Sequence, residues 1–146
     1  MKKLFLSIDV EEWFRAENIR EYLSEGEKRA HSSAYALDLI LDLLERTNSR
    51  ATLFVVSQDI PAYRNQLKRA LKLGCELASH THDHTLLTTL NYEKTHQQLY
   101  LSKQIIEQQF SCEVKGFRSP CFSVNRHLDK ILTDTGYLYS SNNIEA

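Results

Sequence analysis

The stretch Ala51-Thr52-Leu53-Phe54-Val55-Val56 is a continuous run of branched and aromatic residues, and it decides the fold class. Such a run is typical of a strand buried on both faces, which occurs mainly in parallel sheets covered by helices. Other apolar segments alternate with stretches of helical period, the pattern of βαβ units. The sequence therefore predicts an α/β domain with about five parallel strands, at residues 3–10, 51–56, 76–79, 114–118 and 137–139.

Helices are predicted between these strands. In the first connection Leu37, Leu41 and Leu44 recur at helical spacing. In the second, Pro61 suits the first turn of a helix and Gly74 its end. The predicted helices cover residues 34–46, 61–73, 92–110 and 126–135, and the polar stretch 16–30 is expected to form a loop with some helix.

Length and charge narrow the classes of protein. The 146 residues suit one domain, and 18 Lys+Arg against 19 Asp+Glu leave a net charge of -1. This balance disfavours nucleic acid and anionic membranes as partners. No apolar stretch reaches the length of a signal peptide core or a membrane span, and the three cysteines indicate reduced thiols. We therefore expect a cytoplasmic protein with one domain over residues 1–146.

Two carboxylates follow the first predicted strand. Asp9 and Glu11 are two residues apart, so they point to the same side of the strand while Val10 points to the other. In βα-repeat proteins the functional groups gather where strands end, on the carboxyl side of the sheet. Asp9 and Glu11 are therefore candidate ligands or bases, and Glu12 remains an alternative to Glu11.

A histidine cluster follows the third predicted strand. The run Ser79-His80-Thr81-His82-Asp83-His84 holds three of the six histidines of the chain. His80 and His84 are four residues apart, so one turn of helix would bring both imidazoles to one face. With a carboxylate from another strand end, they would form a set of two histidines and one acid with open positions. That set suits zinc or another borderline divalent ion acting on water.

A third polar segment, Gly116-Phe117-Arg118-Ser119-Pro120, follows the fourth predicted strand. The planar fork of Arg118 can orient a carboxylate, and Pro120 would stiffen the turn beside it. A surface salt bridge is the alternative role for Arg118.

Taken together, these segments resemble the polysaccharide deacetylase family, also called the NodB-homology family, and in particular members whose first motif reads Asp-Val-Glu-Asp. The resemblance covers residues 4–139 and includes three motifs in the family's order. It implies a distorted, TIM-like (β/α) barrel and metal-assisted removal of N- or O-acetyl groups from a sugar. The matching segments are Asp9-Val10-Glu11, the run from Ser79 to His84, and Phe117-Arg118-Ser119-Pro120.

The resemblance also implies roles for single residues. Asp9 matches the general base that activates water, Arg118 the residue that orients this base, and Pro120 a residue that shapes the substrate groove. Glu11, His80 and His84 match the metal ligands. The implied cofactor is a divalent metal, with zinc expected first and cobalt or nickel as alternatives, and the implied partner is an acetylated sugar.

The family's general acid is a histidine on a later strand, and no such segment occurs in this chain. Five strands also cannot close a barrel, so we expect a partial, C-terminally incomplete barrel with an open sheet edge. A missing segment or a second chain would cover that edge. Alternatives to the deacetylase are a non-catalytic relative that binds metal or glycan, and a hydrolase of other non-peptide carbon–nitrogen bonds.

Overall fold

Five parallel strands form one sheet in the computed structural model, which describes residues 4–143 except for the side chains of residues 29 and 30. The strands lie in chain order, and each pairs in parallel with the next. This confirms the predicted α/β class and the five parallel strands. The strands are β1 (Leu6–Val10), β2 (Ala51–Val55), β3 (Glu76–Ser79), β4 (Gly116–Phe117) and β5 (Tyr139–Ser140).

The last two strands are shorter or shifted relative to their predicted ranges. Val114 precedes β4, and its N–H donates to the Glu107 carboxylate at 3.0 Å instead of joining the sheet. Tyr137 turns into the core, where its hydroxyl donates to the Leu99 carbonyl at 2.9 Å, so β5 begins only at Tyr139. At the other end of the sheet, β1 begins at Leu6, and residue 3 of the predicted strand lies outside the described residues.

The helices follow the predicted positions closely. The 16–30 stretch contains α1, which begins with a capping box between Ser24 and Glu27. Within residues 4–143, no helix is long and apolar enough to cross a membrane. The helices are α1 (Glu25–Ala30), α2 (Ala34–Arg46), α3 (Ile60–Lys72), α4 (Tyr92–Phe110) and α5 (Leu128–Asp134).

One core lies between the helices and the sheet. Alternating residues of β2 and β3 point toward it, and apolar residues of α2 to α5 fill the space between. Burial is complete for many of these side chains, as expected for strands covered by helices. Fully buried members of this core include Leu41, Leu53, Val55, Leu67, Leu99, Ile106, Phe117 and Ile131.

The opposite face of the sheet is curled. In a flat sheet β1 and β4 would lie about 14 Å apart. Yet the Arg118 guanidinium, just after β4, donates to Asp9 Oδ1 at 2.7 Å and to Ser7 Oγ at 2.8 Å, both on β1. Phe54 of β2 lies under the same guanidinium, 4.2 Å from it. The sheet is therefore an arc, and within the described residues the outer sides of β1 and β5 have no strand partner.

Arg15 ties together three loops at the carboxyl edge of the sheet. It ends a short 3₁₀ turn after β1, and its side chain is only 9% exposed. It donates to both oxygens of Asp59, in the loop after β2, at 2.6 and 3.1 Å. It also donates to the Gln58 side chain and to the Asp83 carbonyl, in the loop after β3, each at 2.9 Å. One guanidinium therefore sets the relative positions of the loops that follow β1, β2 and β3.

Leu41→Ala should lower the free energy of unfolding by about 2–5 kcal/mol, because it removes a fully buried side chain and leaves a cavity. Leu39→Ala is the matched control, since Leu39 lies on the same helix with 52% of its surface exposed. Its cost should stay within about 0.5 kcal/mol. Urea denaturation of both variants measures the difference, and equal losses would contradict the described burial.

Arg15→Ala should cost about 3–5 kcal/mol of unfolding free energy, because it leaves the buried Asp59 carboxylate without its counter-charge. Arg20→Ala provides the control, since the Arg20 guanidinium lies 4.0 Å from Glu17 in an exposed ion pair. Exposed pairs contribute less than about 1 kcal/mol. Chemical denaturation at neutral pH compares the two variants. An equally small effect of both would refute the role of Arg15 in holding the three loops together.

Candidate metal centre

The end of β1 presents two carboxylates to one side, as predicted. Asp9 and Glu11 are partly exposed at the carboxyl edge of the sheet, which we call its mouth. Val10 between them is buried in the core. The Tyr63 hydroxyl of α3 donates to the Glu11 carbonyl at 2.7 Å. This bond fixes the backbone from which the Glu11 side chain projects. The sequence does not indicate this bond, because Tyr63 matches the apolar period of α3 and is typical of a core residue.

Glu12, the alternative to Glu11, faces away from the mouth. Its carboxylate accepts from Ser32 Oγ at 2.7 Å and from the Ser33 N–H at 3.1 Å. These bonds place a negative charge at the N-terminus of α2, where the helix dipole favours it. The geometry therefore separates the two acids: Glu11 points to the mouth, and Glu12 anchors the start of a helix.

The histidine segment is a loop, so the prediction that one helical turn joins His80 and His84 is wrong. Thr81 and His84 have φ angles of 68° and 65°. A β-branched residue such as Thr81 rarely adopts positive φ. Backbone strain of this kind costs about 1–3 kcal/mol per residue and persists only where surrounding contacts enforce it. The two imidazoles meet through this folded loop, with ring centroids 5.2 Å apart.

Side chains from other elements hold the loop in this shape. Gln98 of α4 accepts from the backbone N–H groups of His82 and Asp83 at 3.0 and 3.2 Å, and its amide donates to the Asp83 carboxylate at 2.9 Å. Thr81 Oγ1 accepts from the His84 N–H at 3.1 Å. With the Arg15 bond to the Asp83 carbonyl, these contacts offset the backbone strain.

Glu11, His80 and His84 converge at the carboxyl edge of the sheet. One potential ligand atom from each lies within 4.8 Å of the others, the only such group of three found among residues 4–143. The His84 Nε2 atom is 2.6 Å from Glu11 Oε2, and the His80 Nε2 atom is 3.8 Å from the same oxygen. A cation at this point would be surrounded by two imidazole nitrogens and one carboxylate, with further positions open.

The protonation states suit a metal ligand set. Burial lowers the pKa of His80 below its usual value, so its ring is neutral at neutral pH. Its Nδ1–H can donate to the Arg118 carbonyl at 2.8 Å, which leaves the Nε2 lone pair facing Glu11. Burial alone would raise the pKa of Glu11, but the contact with the His84 side chain and the charge of Arg15 lower it below its usual value.

An unpaired oxygen gives a further indication of a cation. Glu11 Oε2 is buried, and within the described part of the chain it has no hydrogen bond of acceptable geometry, because the His84 Nε2 atom 2.6 Å away does not meet it at a hydrogen-bonding angle. A buried carboxylate oxygen is costly without a donor or a cation beside it. The donor set therefore fits a divalent metal such as zinc, which takes imidazole nitrogen and carboxylate oxygen in tetrahedral sites.

Asp9 lies beside this group and is held by Arg118. One carboxylate oxygen accepts from Arg118, and the other is 4.0 Å from His80 Nε2. The Arg118 side chain is itself fixed by the carbonyl and hydroxyl of Ser141, at 3.2 and 2.8 Å. Arg118 therefore holds the Asp9 carboxylate in one orientation. The catalytic roles that the resemblance implies for Asp9 and Arg118 stay predictions.

A cleft of about 420 Å³ opens over Asp9 and the three candidate ligands. Pro120 itself is buried, and its neighbours Ser119, Cys121 and Phe122 line the cleft instead. Pro120 acts on the shape of this wall only through the turn that it begins. The segment Ala16-Glu17-Asn18 forms another wall, and it belongs to the stretch for which the sequence predicts only a loop with some helix.

Known proteins with related sequences are deacetylases. A sequence profile described as polysaccharide deacetylase matches residues 33–140. The chain is 34% identical over 87 residues to a bifunctional xylanase/deacetylase of Pseudobutyrivibrio xylanivorans, which covers 59% of this chain and 14% of that protein. It is 34% identical over 79 residues to the peptidoglycan-N-acetylmuramic acid deacetylase PdaC of Bacillus subtilis. That match covers 54% of this chain and 16% of PdaC. The chain thus spans only a small part of these relatives.

Solved structures share the fold. PdaC of Bacillus subtilis superposes with a TM-score of 0.66 and 26% identity, over 76% of this chain and 54% of that chain. A pseudoenzyme of the CE4 family from Bacillus anthracis superposes with a TM-score of 0.71 and 22% identity, and the match covers 93% of this chain and 41% of that chain. A candidate polysaccharide deacetylase of Mycobacterium smegmatis superposes with a TM-score of 0.80 and 19% identity, and the match covers 94% of this chain and 50% of that chain.

The profile covers the histidine and arginine motifs but begins after Asp9-Val10-Glu11, so the assignment of the first motif stays a prediction. The matched range nevertheless includes most of the chain, and the predicted resemblance is confirmed at the level of the family. The chain belongs to the polysaccharide deacetylase family.

Proposed function

We propose that this chain carries the metal-binding half of a hydrolase that removes acetyl groups from an acetylated polysaccharide or oligosaccharide. The observation that carries the proposal is the convergence of Glu11, His80 and His84 beside the Asp9–Arg118 pair, in one cleft. The substrate class is supported by the names of the relatives, a xylanase/deacetylase and a peptidoglycan deacetylase. The second chain predicted for the open edge finds no support among these relatives.

Zinc is the metal that we propose first, because two imidazoles and one carboxylate with open positions form a common catalytic zinc site. Cobalt and nickel would suit the same nitrogen and oxygen ligands. A divalent metal bound here would polarise the acetyl carbonyl and lower the pKa of water. Glu11, His80 and His84 would supply the ligand atoms, His80 through Nε2 because its Nδ1 is committed to the Arg118 carbonyl.

Asp9 is proposed as the general base. Its side chain is 33% exposed and lines the cleft, so a water molecule can reach it. Arg118 holds one oxygen at 2.7 Å and leaves the other directed toward the candidate ligands, at 4.0 Å from His80 Nε2. This arrangement holds the carboxylate in a fixed orientation, which proton abstraction from water requires.

A non-catalytic role is the second candidate. A matching structure from Bacillus anthracis is described as a CE4 family pseudoenzyme, and one of its mutants is described as having restored enzymatic activity. The fold is therefore compatible with both states. In this chain His96 and His127 do not line the cleft over Asp9, so neither is placed to act as a proton donor there. Hydrolysis of another carbon–nitrogen bond is a third possibility, which the same site chemistry would serve.

Asp9→Asn should lower kcat for acetate release by about 10²–10⁴-fold, the usual contribution of a general base, while metal binding is kept. His80→Ala should abolish both metal binding and turnover, because it removes a ligand. Acetate release from chitooligosaccharides and from peptidoglycan fragments, with added zinc or cobalt, measures the rates.

His96→Ala is the control, since His96 stacks between Tyr92 and Tyr100 on α4, outside the cleft. It should leave both metal binding and turnover unchanged. Equal rates for wild type and Asp9→Asn would refute the assignment of the base. A wild-type protein that binds zinc through His80 but releases no acetate from any substrate would favour the non-catalytic role.

A further inference from the structure

We propose that Glu17 is a positioning residue for His84. Its carboxylate would accept a hydrogen bond from His84 Nδ1 and so fix the ring with Nε2 directed at the metal. The inference rests on the metal site of the proposed function. It adds to that site an outer acid that neither the sequence motifs nor the relatives assign.

The unpaired nitrogen of His84 is the first observation. The His84 side chain is 3% exposed, and its Nδ1 is buried with no hydrogen-bond partner within the described residues. Its Nε2 lies 2.6 Å from Glu11 Oε2 and belongs to the candidate ligand group. A neutral imidazole carries one proton, so a ligating Nε2 leaves that proton on Nδ1. A buried N–H without an acceptor is unfavourable, and this one needs a partner.

The position of Glu17 is the second observation. Its Oε1 lies 3.9 Å from His84 Nδ1, so an approach of about 1 Å would form a hydrogen bond. Glu17 is 40% exposed and lies between two short 3₁₀ turns, Trp13–Arg15 and Arg20–Tyr22. Its ion pair with Arg20 is exposed and 4.0 Å long, so this contact does little to prevent the approach.

The two candidate histidine ligands would then have matching outer partners. His80 already has an acceptor for its Nδ1–H, the Arg118 carbonyl at 2.8 Å. Glu17 would play the same part for His84, as a carboxylate. Metal-binding histidines usually donate their second N–H to such an acceptor, which orients the ring and raises its basicity. Glu17 contacts the nitrogen opposite to the ligand group, so it acts through His84 and not as a ligand.

Zinc affinity of Glu17→Ala is the test, measured by competition with a chromophoric chelator. Loss of an outer partner typically weakens metal binding 10–100-fold, and we expect a loss of about this size. Glu17→Gln keeps a neutral acceptor and should restore part of the affinity. Glu21→Ala is the matched control, because Glu21 is an exposed acid on the neighbouring 3₁₀ turn and its removal changes the net charge equally.

A second readout separates positioning from a structural role. The thermal midpoint of the metal-free protein should be the same for wild type and Glu17→Ala, because Glu17 is 40% exposed and its contacts with His84 and Arg20 are long, at 3.9 and 4.0 Å. In the zinc-loaded wild type, the Nδ1 proton of His84 should give an exchange-protected NMR signal that disappears in Glu17→Ala.

Each outcome distinguishes the two proposals. A wild-type protein that fails to bind zinc would overturn the metal site itself. Zinc binding by wild type that is unchanged in Glu17→Ala, or reduced only as much as in Glu21→Ala, would overturn the role of Glu17 alone. A lower midpoint of metal-free Glu17→Ala, without rescue of affinity by Glu17→Gln, would also overturn it.

Discussion

The buried ion pair between Arg15 and Asp59 constrains the arrangement of the whole carboxyl edge of the sheet. A buried guanidinium must satisfy its donors, and Arg15 does so with acceptors from two other loops. Asp59 in turn accepts from the backbone N–H of Glu12, the residue after Glu11. The segment that carries Glu11 and the segment that carries His84 are therefore fixed relative to one another. The distance between Glu11 and His84 therefore depends on the ion pair between Arg15 and Asp59.

Arg118 has the corresponding part on the curled face. It connects β1 to the segment after β5 through Asp9, Ser7 and Ser141. Its backbone also takes part, because its carbonyl accepts from His80 and its N–H donates to the Ser79 carbonyl. One residue thus orients Asp9, the proposed base, and determines which ring nitrogen of His80, a proposed ligand, carries the proton. Substituting it would disturb both functions together, so its effects on them cannot be separated by a single variant.

Local patterns in the sequence were sufficient for the sheet and for part of the site. Strand alternation predicts that Asp9, in β1, and Glu11, the residue after its end, point to one side, and both carboxylates lie within 4.0 Å of His80 Nε2. The density of histidines after β3 indicated a site, but the helical turn proposed to join them was wrong. Positive φ at Thr81 and His84 depends on Gln98 and Arg15, which are distant in sequence. No local propensity favours such a backbone.

The rest of the site depends on pairings across long separations. Arg15 lies next to a polar stretch and reads as a solvated charge, yet its partner Asp59 is 44 residues away. Sequence left Glu11 and Glu12 as alternatives, since adjacent acids differ only in the side of the strand to which they point. The three-dimensional contacts of Glu12 with Ser32 and Ser33 distinguish them. The alternation of side chains along β1 favoured Glu11 as the ligand, and the hydrogen bonds at the start of α2 explain why Glu12 points elsewhere.

The central claim is that Glu11, His80 and His84 hold one metal ion. Anomalous diffraction from crystals grown with zinc tests it directly. We predict a metal bound by the Nε2 atoms of His80 and His84 and by a Glu11 oxygen, at about 2.0–2.2 Å from each. Zinc bound through Glu12, or at another place while these three residues remain without metal, would contradict the account.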